Sequence, residues 1–453
     1  MDGPAVLKVD AARARLMRYD TAEILTRLFF LERSLIVSQA GWLPAVTGLA
    51  TKGALARSLW EGAVTADALR NRVFELRYPS RLIAPDAHGA LINVFDAARN
   101  APGQEAFVLA LARVLLPALR HAYEQFSGLS DRLSDGPSAL ILKHALADKA
   151  DTIDALAHLA DEMLAARPEA RPAAEAWCAA VGSALSAQGP GLLEATGSDS
   201  DSGAVAGDSD GDGPPLLPGS RPFVLPVHPG RDARFRRVRF YWPHIVDPGY
   251  ESSDGLGLQM RSAIGHLNEV WAAEICAANL YNFADELGWD YIRDVARWTY
   301  DESRHCLMGL QRLLEWGFRP EELPLGDYLY VAARQQPPIY GLGMIFHLET
   351  KYIHRGRERI QAFRELDDTT SRHDYEFDWA DETFHAEYGN RWLTVLFERR
   401  SEPPRDANEI RQQCEQFAAG LIATATDRER AEIHDIAARL LDKARQTAGA
   451  AVA

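Results

Sequence analysis

The chain has 453 residues, with 49 Lys+Arg against 64 Asp+Glu, a formal net charge of −15, and it is 47% hydrophobic and 25% charged. This is a globular composition, long enough for two or three domains that each bury a core. Its acidic balance excludes a general nucleic-acid or anionic-membrane surface, because like charge repels phosphate at long range.

Residues 1–187 predict an N-terminal helical domain. In Thr21–Gln39, Leu55–Leu76, Gln104–Phe126 and Pro137–Ala165, apolar residues such as Ile24, Leu28, Leu31 and Leu35 recur at three- and four-residue steps, the helical period. Gly41-Trp42-Leu43-Pro44 and Tyr78-Pro79-Ser80 punctuate the joints. Residues 188–222 then turn to Gly, Ser, Asp and Pro, and residues 190–220 hold Glu194, Asp199, Asp201, Asp208, Asp210 and Asp212 with no Lys or Arg. Such a segment buries too little apolar surface to offset its ordering entropy, so an acidic, disordered linker is expected. Asp208-Ser209-Asp210-Gly211-Asp212-Gly213 faintly resembles a calcium loop but lacks the Glu that closes a twelve-residue EF-hand. Residues 223–255 predict an extended Pro- and Arg-rich stretch. Its Arg231, Arg234, Arg236, Arg237 and Arg239 are expected to pair with nearby acids, a site for an anionic substrate being the second reading.

Helices resume in residues 256–400. Four long ones are predicted, Leu256–Leu287, Asp290–Trp316, Pro338–Leu366 and Ser371–Arg399, with ends marked by Gly288, Gly317 with Pro320, and Asp367-Asp368. Residues 401–453 predict two more, Asp406–Ala425 and Asp427–Ala448.

A repeat within the four long helices carries the chemistry. Of the 13 histidines, only His305 and His385 have Glu three residues before them, in Asp301-Glu302-Ser303-Arg304-His305 and Asp381-Glu382-Thr383-Phe384-His385. One such pair means little, but here the upstream acids match too. Glu269 precedes Glu302 by 33 residues, Glu349 precedes Glu382 by 33, and the whole unit recurs after 80. Residues i and i+3 share a helix face, so each Glu-x-x-His aims two ligands one way. A 33-residue step is about one helix up, a turn, and a return to similar height. Two facing units present four carboxylates and two imidazoles, the donor set for a pair of first-row metal ions in a bundle core. Glu274, five residues after Glu269, is an alternative ligand on the first helix, and the 33-residue match favours Glu269. His266, His347 and His354 are expected as core or supporting groups, and Cys306 as a packed small residue. Tyr300, Trp298 and Trp379 are read as aromatic core filling, with electron transfer as the alternative.

With these motifs, residues 256–400 resemble the ferritin-like superfamily of di-iron carboxylate proteins, in particular its oxygen-activating members such as monooxygenase, desaturase and tRNA-hydroxylase di-iron domains. The resemblance implies an all-α, ferritin-like four-helix bundle with an additional N-terminal helical domain. It implies that Glu302 and Glu382 bridge two metals, that Glu269 and Glu349 are terminal ligands, and that His305 and His385 each bind one metal. Asp301 and Asp381 would hold the imidazole N–H groups. The second copy has Phe384 where the first has Arg304, so arginine support is expected on one side only.

The expected activity is that of an O2-activating non-haem di-iron oxygenase or oxidase acting on a small organic or modified substrate, with two Fe ions or a Mn/Fe pair. An external reductase or ferredoxin is expected as electron donor, since the chain contains no flavin or nicotinamide fingerprint. The alternatives are a ferroxidase or peroxide-handling protein of the same fold, and a helical scaffold with a structural metal pair. The N-terminal domain carries a partial echo, Phe30-Leu31-Glu32-Arg33 against His347-Leu348-Glu349-Thr350. Thr65 and Ala68 stand where the distal Glu and His would be. A structural role, covering the bundle or walling a channel, is expected for it, accidental similarity being the alternative. Met1-Asp2-Gly3-Pro4 lacks a secretory pattern, and no apolar run reaches the ~18 residues of a bilayer span. Cys178, Cys276, Cys306 and Cys414 form no C-x-x-C pair. A cytoplasmic protein without a membrane partner is expected.

Overall fold

The structure, a computed structural model, describes residues 15–85, 88–189, 191–193, 216–250, 255–353, 356–400 and 406–452. Residues 194–215, most of the acidic segment and all of its calcium-loop-like run, lie outside the described residues, as does His354. The described residues are all-α in class: sixteen α-helices and one pair of two-residue strands, β1 (Arg236–Arg237) and β2 (Pro324–Leu325), paired in parallel. The chain forms two compact units, Met1–Ser38 with Glu61–Phe223, and Gln39–Trp60 with Val224–Ala453. Residues 39–60, expected with the N-terminal domain, thus fall in the second unit. They are tied there by hydrogen bonds from Gly230 N to Pro44 O and from Leu49 N to the Asp232 carboxylate.

Two helices, α1 (Arg18–Trp42) and α2 (Leu49–Leu76), contribute residues to both units. The first unit is completed by α3 (Gly89–Ala97), α4 (Gln104–Ala110), α5 (Leu116–Leu129), α6 (Gly136–Ala166) and α7 (Arg171–Ser186). Ile24, Leu28, Leu31 and Leu35 are all buried, as the helical period predicts. Gln104–Leu129 has the length and hydropathy of a membrane span, but two thirds of its most apolar window is buried inside the protein. Glu32 is buried too, and accepts hydrogen bonds from Lys149 Nζ at 3.0 Å and Tyr123 Oη at 2.5 Å. The residue echoing Glu349 therefore meets a lysine ammonium and a phenol.

The second unit continues through the irregular stretch 224–250, where all five arginines pair with acids. Arg231 reaches Glu274 (2.5 Å), Arg234 reaches Asp232 (2.7 Å), Arg236 reaches Glu432 (3.7 Å), Arg237 reaches Asp327 (3.8 Å) and Arg239 reaches Glu429 (3.5 Å). The expected helix over 256–287 is two helices, α8 (Gly255–Asn268) and α9 (Val270–Leu287), broken at Glu269. Glu269 N bonds to His266 O (2.9 Å) and Ala272 N to Glu269 O (2.8 Å), both i→i−3, so one tight turn interrupts the α-helical ladder at the predicted ligand. Gly288, at φ +81°, reverses the chain in a single residue into α10 (Trp289–Glu315), a conformation that glycine adopts without the Cβ penalty.

Then follow α11 (Tyr328–Arg334), α12 (Ile339–Tyr352), α13 (Gly356–Glu365), α14 (Thr369–Arg400), α15 (Ala407–Ala423) and α16 (Asp427–Val452). The expected single helix over 338–366 is thus also divided. α9 packs on α10 and α12, and α14 packs on the same two, closing a ring of four, with α8 also against α10. Gly309 of α10 lets α8 come close, since a Cβ there would lie 2.3 Å from Leu267 N and 2.6 Å from Ala263 O. The ring brings the buried faces of α9, α10, α12 and α14 to one interior, with the end of α8 beside it.

Candidate metal centre

All six predicted ligands converge in that interior. Glu302, Glu349, Glu382 and His385 each offer a ligand atom, all within 4.8 Å of one another, and Glu269, Glu302 and His305 form a second such group sharing Glu302 with the first. The two histidines, Glu302 and Glu349 are buried, while the side chains of Glu269 and Glu382 are 27% and 18% exposed, on the wall of an internal cavity.

The two imidazoles are held crosswise. His305 Nε2 faces Asp381 Oδ2 at 3.3 Å, and His385 Nε2 faces Asp301 Oδ2 at 3.5 Å, so each ring is oriented by the aspartate of the other helix. Both Nδ1 atoms point inward: His385 Nδ1 lies 3.0 Å from Glu302 Oε1, and His305 Nδ1 lies 3.3 Å from Asp378 and 3.8 Å from Glu302 and Glu269. Arg304, expected to serve one side only, donates to both aspartates, to Asp301 at 2.5 Å and Asp381 at 3.1 Å. Phe384, its counterpart in the repeat, is 57% exposed and takes no part. A second arginine completes the clamp. Arg297 Nε donates to Asp301 at 2.6 Å and Nη2 to Asp381 at 3.2 Å.

Glu274, the alternative ligand, points elsewhere. It is fully buried, and its Oε1 lies 2.9 Å from Lys52 Nζ and 2.5 Å from Arg231 Nη1. Five residues is 140° past Glu269 on a helix, and the break at Glu269 leaves the two carboxylates in separate networks. Trp298 is more than core filling. Its indole Nε1 donates to Glu302 Oε1 (3.2 Å) and Glu349 Oε1 (3.1 Å), and its ring stacks on His385 with centroids 5.4 Å apart. Trp379 lines the cavity, and Tyr300 lies beside Arg304. Cys306 is packed, with its thiol donating to Leu267 O, and His347 lies outside the ligand groups.

The sequence pattern missed Asp378. It joins His305 and Glu382 in a further ligand group, and forms a fourth with Glu269 and His266, the latter expected as a core or supporting group. His266 Nδ1 lies 2.5 Å from the buried Arg312, which also pairs with Asp374 at 3.0 Å, and His266 Nε2 faces Asp378 at 3.7 Å. Asp378 stands four residues before Glu382, so i, i+4, i+7 spacing puts Asp378, Glu382 and His385 on one face, a signal present in the sequence.

The electrostatics of this cluster would suit a cation. Three carboxylates with oxygens within 4.8 Å of one another would repel by about 3–4 kcal/mol per pair at an effective dielectric of ~20. The sum, on the order of 10 kcal/mol, rivals the whole stability of a typical domain, so fully ionised carboxylates require protons or a cation. Burial, followed by Asp378 and the neighbouring glutamates, pushes the Glu269 carboxyl well above its usual range. Burial, Glu382 and Glu302 do the same to Glu349. Burial opposes charge on the two imidazoles, but the surrounding carboxylates outweigh it and hold both well above the ordinary histidine range. Burial would likewise raise Glu302, yet the same imidazoles pull it down to about 2. His305 Nδ1, His385 Nδ1 and Glu269 Oε2 are buried without a hydrogen-bond partner, all three directed at the cluster. Orphaned imidazole nitrogens and a surplus of carboxylate oxygen are the donor set of a first-row divalent ion.

Residues 224–439 match the family model described as "Protein of unknown function (DUF455)". The matched span contains the ring of four helices and every residue of the cluster. No curated protein and no solved structure matches the chain.

Proposed function

We propose that the second unit is a ferritin-like four-helix bundle holding two iron ions, or a manganese–iron pair, and that the protein is an O2-dependent oxygenase or oxidase of a small organic substrate. The observation that carries this reading is the pair of inward-facing, unpartnered Nδ1 atoms beside shared carboxylates. In it Glu302 and Glu382 would serve both ions, His305 with Glu269 would hold one, and His385 with Glu349 would hold the other. Asp378 adds a carboxylate on the His305 side. When bound, the metal pair supplies O2 reduction and Lewis acidity.

The protein's own residues set the conditions. Asp301 and Asp381 keep the proton on each Nε2, leaving the Nδ1 lone pair free for a metal, and Arg297 and Arg304 each donate to both aspartates and fix their positions. Trp298 fixes Glu302 and Glu349 from the buried side. Without metal, burial and the neighbouring carboxylates keep a proton on Glu269 at the cavity wall, and a bound ion would displace it. Trp271, Ile345, Leu348 and Trp379 give the cavity an apolar wall that limits water. In an oxygenation, one oxygen atom enters the substrate and the other leaves as water. The two electrons come from an external reductase or ferredoxin and the two protons from solvent.

The test is anaerobic titration with Fe(II) followed by metal analysis. Two ions per chain are expected, falling below two in Glu302→Ala and in His385→Ala; full occupancy in both variants would sink the site. Sustained oxidation of excess Fe(II) on admitting O2 would point to iron handling, and retained metal without O2 uptake to a structural pair.

A further inference from the structure

A cavity of about 250 Å³ opens from the carboxylate cluster and includes Glu269, Glu302, Glu349, Glu382 and Asp378 in its wall. The same wall carries Arg261, Arg359 and His244. Arg261, Gly265 and Glu269 follow at four-residue steps along one face at the end of α8. An arginine thus stands two turns, about 12 Å along the axis, from the proposed ligand. On α13, Arg359 sits over the Tyr375 ring at 5.4 Å, and Tyr375 in turn stacks on His266 at 4.4 Å. Between the charged groups the wall is apolar and aromatic, with Leu258, Trp271, Ile353 and Trp379.

In a chain of net charge −15, this wall is divided by sign. Burial, Arg261 and Arg359 lower the pKa of His244 to about 4. The imidazole is therefore neutral at pH 7 in a region of positive potential, and its Nδ1 is buried without a hydrogen-bond partner. At Gly265 a Cβ would meet nothing within 4 Å, so this face of α8 leaves open space between Arg261 and Glu269.

We propose that the cavity binds a small organic anion, an apolar or aromatic body carrying one carboxylate or phosphate, with Arg261 and Arg359 holding the anion and the body extending past Gly265 toward the carboxylate cluster. As a statement about the substrate it rests on the di-metal reading; as a statement about a ligand it does not. Two guanidinium groups can each pair bidentately with the oxygens of a carboxylate or phosphate. A neutral His244 adds a hydrogen bond without competing for charge. The apolar wall gives the body an orientation, and the spacing on α8 sets how far the reacting carbon lies from the anchor.

Calorimetric titration of the zinc-loaded, redox-inert protein with phenylacetate, phenyl phosphate and neutral phenylacetamide tests this. At least one anion is expected to bind about tenfold or more tightly than the amide, with the tighter of the two identifying a carboxylate or a phosphate site. Arg261→Gln and Arg359→Gln should each weaken that anion about tenfold or more and leave the amide unchanged. Gly265→Leu, which adds a side chain to empty space, should weaken all three. Equal binding of amide and anions, no binding of either anion, or anion affinity indifferent to both arginine variants would overturn the proposal. Metal content measured on the same samples separates the two readings. Anion preference in a protein that takes up no metal sinks the di-metal centre and leaves the anchor, whereas two ions per chain without anion preference sinks the anchor alone.

Discussion

Glu269 and Glu274 lie five residues apart, and substituting each gives opposite results if the geometry is right. Glu274→Gln removes a buried negative charge from between Lys52 and Arg231, whose side chains are 4% and 3% exposed. Breaking a buried ion pair by deleting one partner costs about 3–5 kcal/mol. Two features put this substitution at the low end. The amide oxygen still accepts from Arg231, and Lys52, which burial already lowers to about 8, loses its proton more readily once Glu274 no longer holds it. A loss of about 3 kcal/mol in a unit of this size lowers the melting temperature by about 6–12 °C. The metal stoichiometry should stay at two. Glu269→Gln should do the reverse, lowering metal content while leaving the metal-free protein as stable or more so, because it relieves carboxylate crowding. Scanning calorimetry and metal analysis on both variants decide the matter. Loss of metal in Glu274→Gln with an unchanged melting temperature would refute the separation of the two networks.

Asp301→Asn should weaken metal affinity by about 10–100-fold while leaving two ions bound at saturation, because it frees the His385 ring without removing a ligand; competition with a chromogenic chelator measures this, and unchanged affinity would mean that the crosswise pairing does not orient the ring. Stability should also respond to pH in opposite senses with and without metal. Glu269, Glu349, His305 and His385 all have raised pKa values in the fold, so the native state binds protons that the unfolded chain releases, and stability is lost as pH rises. The window is pH 6.5 to 8. Below it the lowered histidines His244, His266 and His347, each at about 4, act the other way, and above it Lys52 does. A metal-free sample should thus melt lower at pH 8 than at 6.5. The metal increment should grow over the same range, since ions displace those protons. Equal melting temperatures for the metal-free protein at both pH values would count against the protonated cluster.

The doubled Glu-x32-Glu-x-x-His pattern was legible because its spacing is local helix geometry: three residues for one face, thirty-three for a return. The role of Asp301 and Asp381 came only with the resemblance to di-iron carboxylate proteins. What the pattern could not carry depends on chain segments that meet only on folding. Lys52 reaches Glu274 across more than two hundred residues and Arg231 across more than forty. Nothing near Glu274 in sequence marks it as taken. Arg297, one turn before Asp301, reads as an ordinary solvated charge until Asp381 is placed opposite. Trp298 reads as core because the period reports burial and not what the indole N–H meets. The break at Glu269 has no Gly or Pro to announce it, so the helix was expected to run through.

The echo in the first unit has a bearing on when each half of the protein can fold. Glu32 has its counter-charge built into the chain, as the ammonium of Lys149 at 2.9 Å, so that unit is complete as soon as it is synthesised. The carboxylates around Glu302 have no such resident cation and must take their positive charge from protons or from the medium. If the second unit holds metal as proposed, its stability depends on the ions available in the cell, while that of the first does not. On that reading, limited proteolysis with and without added metal should change the rate of cutting within the second unit more than within the first.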